Sequence, residues 1–215
     1  MRIVIAGAHG QIGLRLVGLL AARGDDVVGL IRNPDHAADI EAAGGAPVVC
    51  DLEHAAADEV AEAARAADVA VFAAGAGPGS GAERKRTMDR DGAIKLLTAT
   101  EATAARYLMV SSVGAEAPPS GDDVFQVYLQ AKAEADAAVM ATDRSWVIIR
   151  PGPLVNDQGT GRVRLETEPF RDQVTRDDVA AVLAAAIADP ALDHTIVYLA
   201  NGEEPIEQAI AAIRA

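Results

Sequence analysis

Apolar residues in this chain fall into two kinds of run that alternate along its length. Short stretches rich in β-branched residues, at 2–6, 26–31, 47–50, 69–74, 107–111, 146–150 and 195–200, are mostly apolar throughout. Continuous apolar runs of that length, rather than an apolar/polar alternation, predict strands covered on both faces, as in a parallel sheet. Longer alanine-rich stretches between them predict helices at 12–22, 35–43, 55–66, 87–105, 124–141, 176–188 and 204–213. Strand and helix in alternation imply right-handed crossovers and an α/β, doubly wound parallel sheet flanked by helices, in one domain over residues 1–215. Residues from about 151 onward are expected to form a small substrate-side region of that domain. The stretch 156–171, with Gly159, Gly161, Pro169 and scattered charges, is the one long irregular segment, read either as a disordered insertion or as a loop or lid on the substrate side.

Composition narrows the classes. The 215 residues carry 19 Lys+Arg against 32 Asp+Glu, a formal net charge of −13. An acidic surface repels phosphate backbones, so a nucleic-acid partner is not expected. No run approaches the roughly 18 apolar residues a membrane helix needs, so no membrane partner is expected. Residues 1–7 enter a strand-like pattern directly, which predicts no signal peptide and a cytoplasmic protein. Cys50 is the single cysteine, and His9, His36, His54 and His194 show no ligand spacing, so no metal site is expected.

The first strand runs into Gly7-Ala8-His9-Gly10-Gln11-Ile12-Gly13, a G-x-x-G-x-x-G between strand and helix. Gly7 permits a tight turn and Gly10 lets the backbone approach a pyrophosphate. Gly13 lets helix and sheet pack closely, and the helix N-terminus supplies amide donors for an anion. His9 sits in this loop and is placed to touch phosphate. Dinucleotides without a 2′-phosphate are usually held by a carboxylate at the end of the second strand. Here Leu30-Ile31-Arg32-Asn33 offers none, and Arg32 suits a phosphate, which favours NADP(H) over NAD(H). After the third strand, Asp51 of Cys50-Asp51-Leu52 reads equally as an adenine contact or as the N-cap of the next helix.

Tyr128 and Lys132, four apart in a predicted helix, share one face. A tyrosine hydroxyl titrating near about 10 is a poor base at neutral pH, and an adjacent ammonium stabilises its phenolate. Lys132 is also placed to bond the nicotinamide ribose while Tyr128 exchanges a proton with substrate. Ser111 and Ser112 end the fifth strand at the carboxyl edge of the sheet. Ser112, further beyond the strand, is the preferred substrate-orienting hydroxyl. A dense basic patch, Glu83-Arg84-Lys85-Arg86 with Arg90, reads either as a solvated helix start or as an anion-seeking surface.

Gly7–Gly13, Arg32, Asp51-Leu52, Ala73-Ala74-Gly75-Ala76-Gly77, Val110-Ser111-Ser112, Tyr128/Lys132, the Ile149–Leu154 run and Thr175–Ala180 together resemble the short-chain dehydrogenase/reductase superfamily. More narrowly they are similar to its atypical NAD(P)H-binding branch, single-domain relatives of NAD-dependent epimerase/dehydratases. The resemblance implies a Rossmann-like fold, hydride chemistry on a nicotinamide, and Ser112, Tyr128 and Lys132 as catalytic residues. It implies cofactor contacts from Gly7, His9, Gly10, Gln11, Ile12, Arg32, Asp51, Leu52, Ala74, Gly75, Ser111, Lys132 and Pro151, with Asp89 facing the sheet near the cofactor. The expected activity is an NADP(H)-dependent oxidoreductase acting on a small carbonyl or hydroxyl substrate, in a monomer or homodimer. The alternatives are an NADPH-binding sensor without turnover and a flavin- or quinone-type reductase. Sugar-nucleotide epimerisation ranks below these, because the chain stops soon after the seventh strand.

Overall fold

Seven parallel strands carry the architecture: β1 (Arg2–Ala6), β2 (Asp26–Ile31), β3 (Ala46–Val49), β4 (Val69–Phe72), β5 (Arg106–Val110), β6 (Trp146–Pro151) and, after β7 (Leu154–Val155), β8 (Arg162–Glu166) and β9 (Val174–Thr175), β10 (Thr195–Asn201). The computed structural model describes residues 1–77 and 79–213. In space the sheet runs β3-β2-β1-β4-β5-β6-β10, so the chain reverses direction across the sheet between β1 and β4. Open α/β sheets bind ligands at such a switch point, outside the carboxyl ends of the strands.

Both faces of the sheet are covered, which is why its strands read as unbroken apolar runs. Ile3 and Ile5 of β1 point to one layer with α1 (Gln11–Ala22) and α7 (Arg176–Ala188). Val4 and Ala6 point to the other, with Phe72, Tyr107 and Met109, beneath α3 (Ala57–Ala63), α5 (Ala93–Ala99) and α6 (Val124–Met140). The short α2 (Ala37–Ala42) joins the first layer through Ile40.

Two expectations need correction. The segment 156–171 is not irregular throughout. Arg162–Glu166 forms β8, antiparallel to β10, and Glu204–Pro205 forms β11 against β8. Val163 is the one fully buried residue of β8, so its half-exposed RVRLE pattern was masked by the surrounding glycines and charges. Upstream of β8, Asp178 holds the loop by accepting from the backbone N–H groups of Thr160 and Gly161. The second correction concerns the helix expected at 87–105. It begins earlier, as α4 (Ala82–Arg84), widens into a π-helical turn over Lys85–Gly92, and continues as α5 to Ala99. The basic patch therefore lies inside the helix.

One buried ion pair ties the far half of the sheet together. Asp136 of α6 is fully buried and accepts from Arg150 Nη2 at 3.0 Å and Arg150 Nε at 3.1 Å on β6, and from Ser111 Oγ at 2.8 Å. Arg150 Nη1 donates onward to Tyr198 Oη on β10 at 2.6 Å. Burial pushes the Asp136 carboxyl above its ordinary value, and the Arg150 guanidinium opposes it. Without Asp136 the buried Arg150 guanidinium keeps only Glu116, 3.7 Å away, as a carboxylate neighbour, so Asp136→Ala is expected to lower unfolding free energy by about 3 kcal/mol in urea titration. A loss within experimental error would show that Arg150 finds another acceptor.

Candidate functional site

The cradle is built at the end of β1. Gly7 adopts φ +78°, and a Cβ there would lie 2.6 Å from the Ala74 Cα beyond β4. The Gly10 N–H donates to the Gly7 oxygen at 2.8 Å, closing the turn. A Cβ at Gly13 would collide with that same oxygen. Gly10 caps α1 without a side-chain bond, and the first turn carries no acidic residue, so no side-chain cap competes with an anion there. Ile12 packs its side chain into the core, and Gln11 is exposed at the helix start.

A cavity of about 290 Å³ opens in front of this turn, bordered by Gly7, His9, Gly10, Arg32, Asp51, Leu52, Ala74 and Gly75 among the expected cofactor residues. Small-molecule sites start at roughly this size. Gln11, Ile12, Ser111, Lys132 and Pro151 lie outside that cavity. His9 stacks on His36 with ring centroids 3.6 Å apart, and its Nε2 lies 2.7 Å from Asp39. Arg32 is more than half exposed, and its guanidinium reaches Glu53 only at 3.7 Å. Glu53 is held by others: Arg84 at 2.9 Å and the Thr87 hydroxyl at 2.7 Å. Burial works against its ionisation, but those bonds prevail and hold its carboxyl below the ordinary value. Arg32 is thus a weakly engaged cation at the mouth of the cavity, with no carboxylate at the end of β2.

Asp51 is not the N-cap of α3, whose cap is Ala56. Its carboxylate accepts from the Glu53 N–H at 3.0 Å and lies 3.0 Å from His54 Nδ1, closing a local turn against the cavity. Burial opposes ionisation here too, and the His54 and Glu53 bonds bring the Asp51 carboxyl below its usual value.

Along the same sheet edge, the start of α6 presents Tyr128, half-buried, with Lys132 one turn deeper. Lys132 is buried; its Nζ donates to the Val110 carbonyl at 3.0 Å and lies 3.5 Å from Asp89 Oδ1. Asp89, on the π-helical turn, also accepts from the Ala76 N–H at 3.1 Å. Its carboxylate fits because Gly75 has no Cβ, which would stand 2.9 Å from Asp89 Oδ1. Lys132 Nζ is 5.9 Å from the Tyr128 ring centroid, and Lys85 Nζ is 5.4 Å from it. The two serines divide: Ser111 is buried with its hydroxyl on Asp136, whereas Ser112 is half-buried and donates only to the Val113 carbonyl at 3.1 Å. The Ser111 N–H is also taken, donating to the Ile149 carbonyl at 2.8 Å.

Sequence reasoning did not single out Glu53, Lys85's place over Tyr128, or the Asp136–Arg150 pair. For Asp136 a signal existed: it falls four residues after Lys132, on the same helical face.

A parallel sheet with a Cβ-free cradle at its switch point, a helix N-terminus open to an anion and an arginine at the second strand end defines a nicotinamide-dinucleotide-binding α/β protein. The family model described as NAD(P)H-binding matches residues 7–190, and the chain belongs to that family. The Bacillus subtilis protein named "Uncharacterized sugar epimerase YhfK" is 34% identical over 98% of this chain and 99% of its own. A Bacillus halodurans structure described as a candidate NAD-dependent epimerase/dehydratase superposes with a TM-score of 0.91 at 31% identity, covering 99% of each chain. A Streptomyces 3-diazoavenalumate denitrifying reductase is 30% identical over 76% of this chain and 59% of its own. With these relatives, the chain falls in the NAD(P)-binding branch that includes proteins named for NAD-dependent epimerase/dehydratases. Among the described residues no helix is long and apolar enough to cross a membrane, and no cluster of His, Cys, Asp and Glu is arranged to hold a metal.

Because a methyl at Gly13 must displace the Gly7 carbonyl, Gly13→Ala is expected to cost about 1–3 kcal/mol of stability. The same shift deforms the cradle, so NADPH affinity measured by calorimetry should fall more than tenfold, on the order of 1.4 kcal/mol. Unchanged affinity would place the pyrophosphate elsewhere.

Proposed function

We propose that the chain is an NADP(H)-dependent oxidoreductase that interconverts a small carbonyl compound and its alcohol, with Tyr128 as general acid/base. The observation that carries this reading is the placement of Tyr128 and Ser112 on the same carboxyl edge of the sheet as the Cβ-free cradle. When bound, a nicotinamide supplies or accepts the hydride at this edge. In the reducing direction, Tyr128 Oη gives its proton to the substrate oxygen, and Ser112 Oγ orients that oxygen. Lys132, fixed by Val110 and Asp89, stands 5.9 Å from the tyrosine ring centroid, and bulk solvent returns the proton to Tyr128. The region from about 151 onward, entered through Pro151, forms the wall on the substrate side.

The phosphate preference rests on Arg32. Arg32→Ala is expected to weaken NADPH binding by roughly tenfold or more while changing NADH binding little, since charge-assisted bonds to a phosphate contribute about 1.5–3 kcal/mol. Fluorescence titration with both nucleotides measures it; equal losses would remove Arg32 as the phosphate partner.

General acid/base catalysis contributes about 10²–10⁴-fold, so Tyr128→Phe should lower kcat for carbonyl reduction by roughly that factor. The assay is NADPH oxidation against a panel of aldehydes, ketones, quinones and flavins. Unimpaired Tyr128→Phe turnover would favour direct reduction of a flavin- or quinone-type ring. Binding without oxidation of any acceptor would favour a sensor. The epimerase name borne by the Bacillus subtilis relative supports a second reading, which predicts substrate conversion without net NADPH consumption.

A further inference from the structure

Beside Tyr128 stand two side chains that neither the core nor the cradle employs. α4 follows β4 and α6 follows β5, so both helices begin at the carboxyl edge of the sheet, where the π-helical turn packs on α6. Phe125, in the first turn of α6, is 53% exposed although it is a large apolar ring, and Val124 beside it is exposed as well. The Phe125 ring stacks on Tyr128 with centroids 5.9 Å apart and planes inclined by 29°, so the two rings lie side by side at the start of α6.

Over this surface lies Lys85. The other cations of the basic patch are matched by carboxylates: Arg84 by Glu53, Arg86 by Glu83, and Arg90 by Asp91 and Glu134. Lys132 is matched by Asp89. Among the described residues Lys85 has no carboxylate within ion-pair distance; its Nζ donates to the Gly77 carbonyl at 2.9 Å and otherwise lies over the Tyr128 ring. In a chain of net charge −13, an ammonium left without a counter-ion beside an exposed phenylalanine and a half-buried tyrosine is complementary to one kind of ligand.

We propose that Phe125, Tyr128 and Lys85 form a substrate subsite for a planar aromatic compound bearing an anionic group, such as an aromatic carboxylate. The ring lies against Phe125, the anion meets Lys85, and the reacting carbon is held near Tyr128 Oη. This inference rests on the oxidoreductase reading for its chemistry but not for its binding. For an aldehyde probe, the hydride comes from the reduced nicotinamide and the proton from Tyr128 Oη, and the product is the primary alcohol.

The test compares 4-carboxybenzaldehyde with its neutral counterpart, methyl 4-formylbenzoate. Wild-type protein with NADPH is expected to favour the carboxylate in KM, and Lys85→Met to lessen that preference by roughly tenfold, with Lys85→Arg restoring it. Using the ratio between the two compounds cancels their different intrinsic reactivities. Phe125→Ala should raise KM for both. Calorimetric binding of 4-carboxybenzaldehyde should weaken in Lys85→Met and in Phe125→Ala without reference to turnover. If both aldehydes are reduced with no preference that Lys85 controls, the subsite is wrong and the reductase reading stands. If neither is reduced but binding depends on Lys85 and Phe125, the subsite stands and the reductase reading fails. No binding at millimolar concentration overturns the subsite. So does a Phe125→Ala change in oligomeric state without a change in ligand affinity, which would assign the aromatic surface to a second copy of the chain.

Discussion

The geometry of the whole site follows from one steric constraint: the end of β1 must pass so close to the end of β4 that no side-chain carbon fits between them. Gly7 meets the backbone of Ala73 and Ala74, and Gly13 meets the oxygen of Gly7, so two glycines bring β1, β4 and α1 into contact at one point. That point is where the strand order reverses, and the reversal leaves a crevice open above it. Had either glycine carried a methyl, α1 would stand off the sheet and its N-terminal amides would no longer aim across the crevice. Close packing and anion binding are thus one requirement on the same residues.

Charge is arranged around this constraint with unusual economy. The protein is strongly acidic, yet the sheet's carboxyl edge gathers Arg32, Arg84, Lys85 and Lys132. Carboxylates discriminate among them. Glu53 holds Arg84 firmly and Arg32 loosely, and Asp89 neutralises Lys132 where it is buried. A buried cation without such a partner would be too costly to keep, whereas a partly exposed one can wait for a ligand. The pairing pattern therefore separates cations that support the fold from those open to an anion.

Much of this was legible in the chain. The seven parallel strands announced themselves because burial on both faces demands unbroken apolar runs, as in Val69–Phe72 and residues 146–149. The G-x-x-G-x-x-G loop carried its own geometry, because only glycine satisfies the contacts it makes. β8 was hidden, since an antiparallel strand near the sheet edge buries little and its charged residues resemble a loop. Tertiary partners were hidden too: Glu53 meets Arg84 across 31 residues and Arg106 meets Asp193 across 87, separations that no local pattern encodes. The place of Ser112 beyond the strand favours it over Ser111, but no local pattern shows that the Ser111 hydroxyl bonds Asp136, 25 residues away.

The π-helical turn is the feature that no local pattern betrayed and on which the site leans most. Its wide turn carries Lys85 and Asp89, four residues apart, to adjacent points on α6, one at the ring of Tyr128 and the other at the ammonium of Lys132. Such turns are rare and costly in hydrogen-bond geometry, and they persist where something else holds them. Here the Ala76 N–H, Lys132 and the space left by Gly75 fix Asp89, so the loop after β4, the turn and α6 constrain one another. The tyrosine ring consequently has two ammonium groups near it, Lys132 at 5.9 Å, neutralised by Asp89, and Lys85 at 5.4 Å, without a carboxylate partner. Of the two, the buried Lys132 is already matched by Asp89, so the partly exposed Lys85 is the cation at this ring that an approaching anion can still engage.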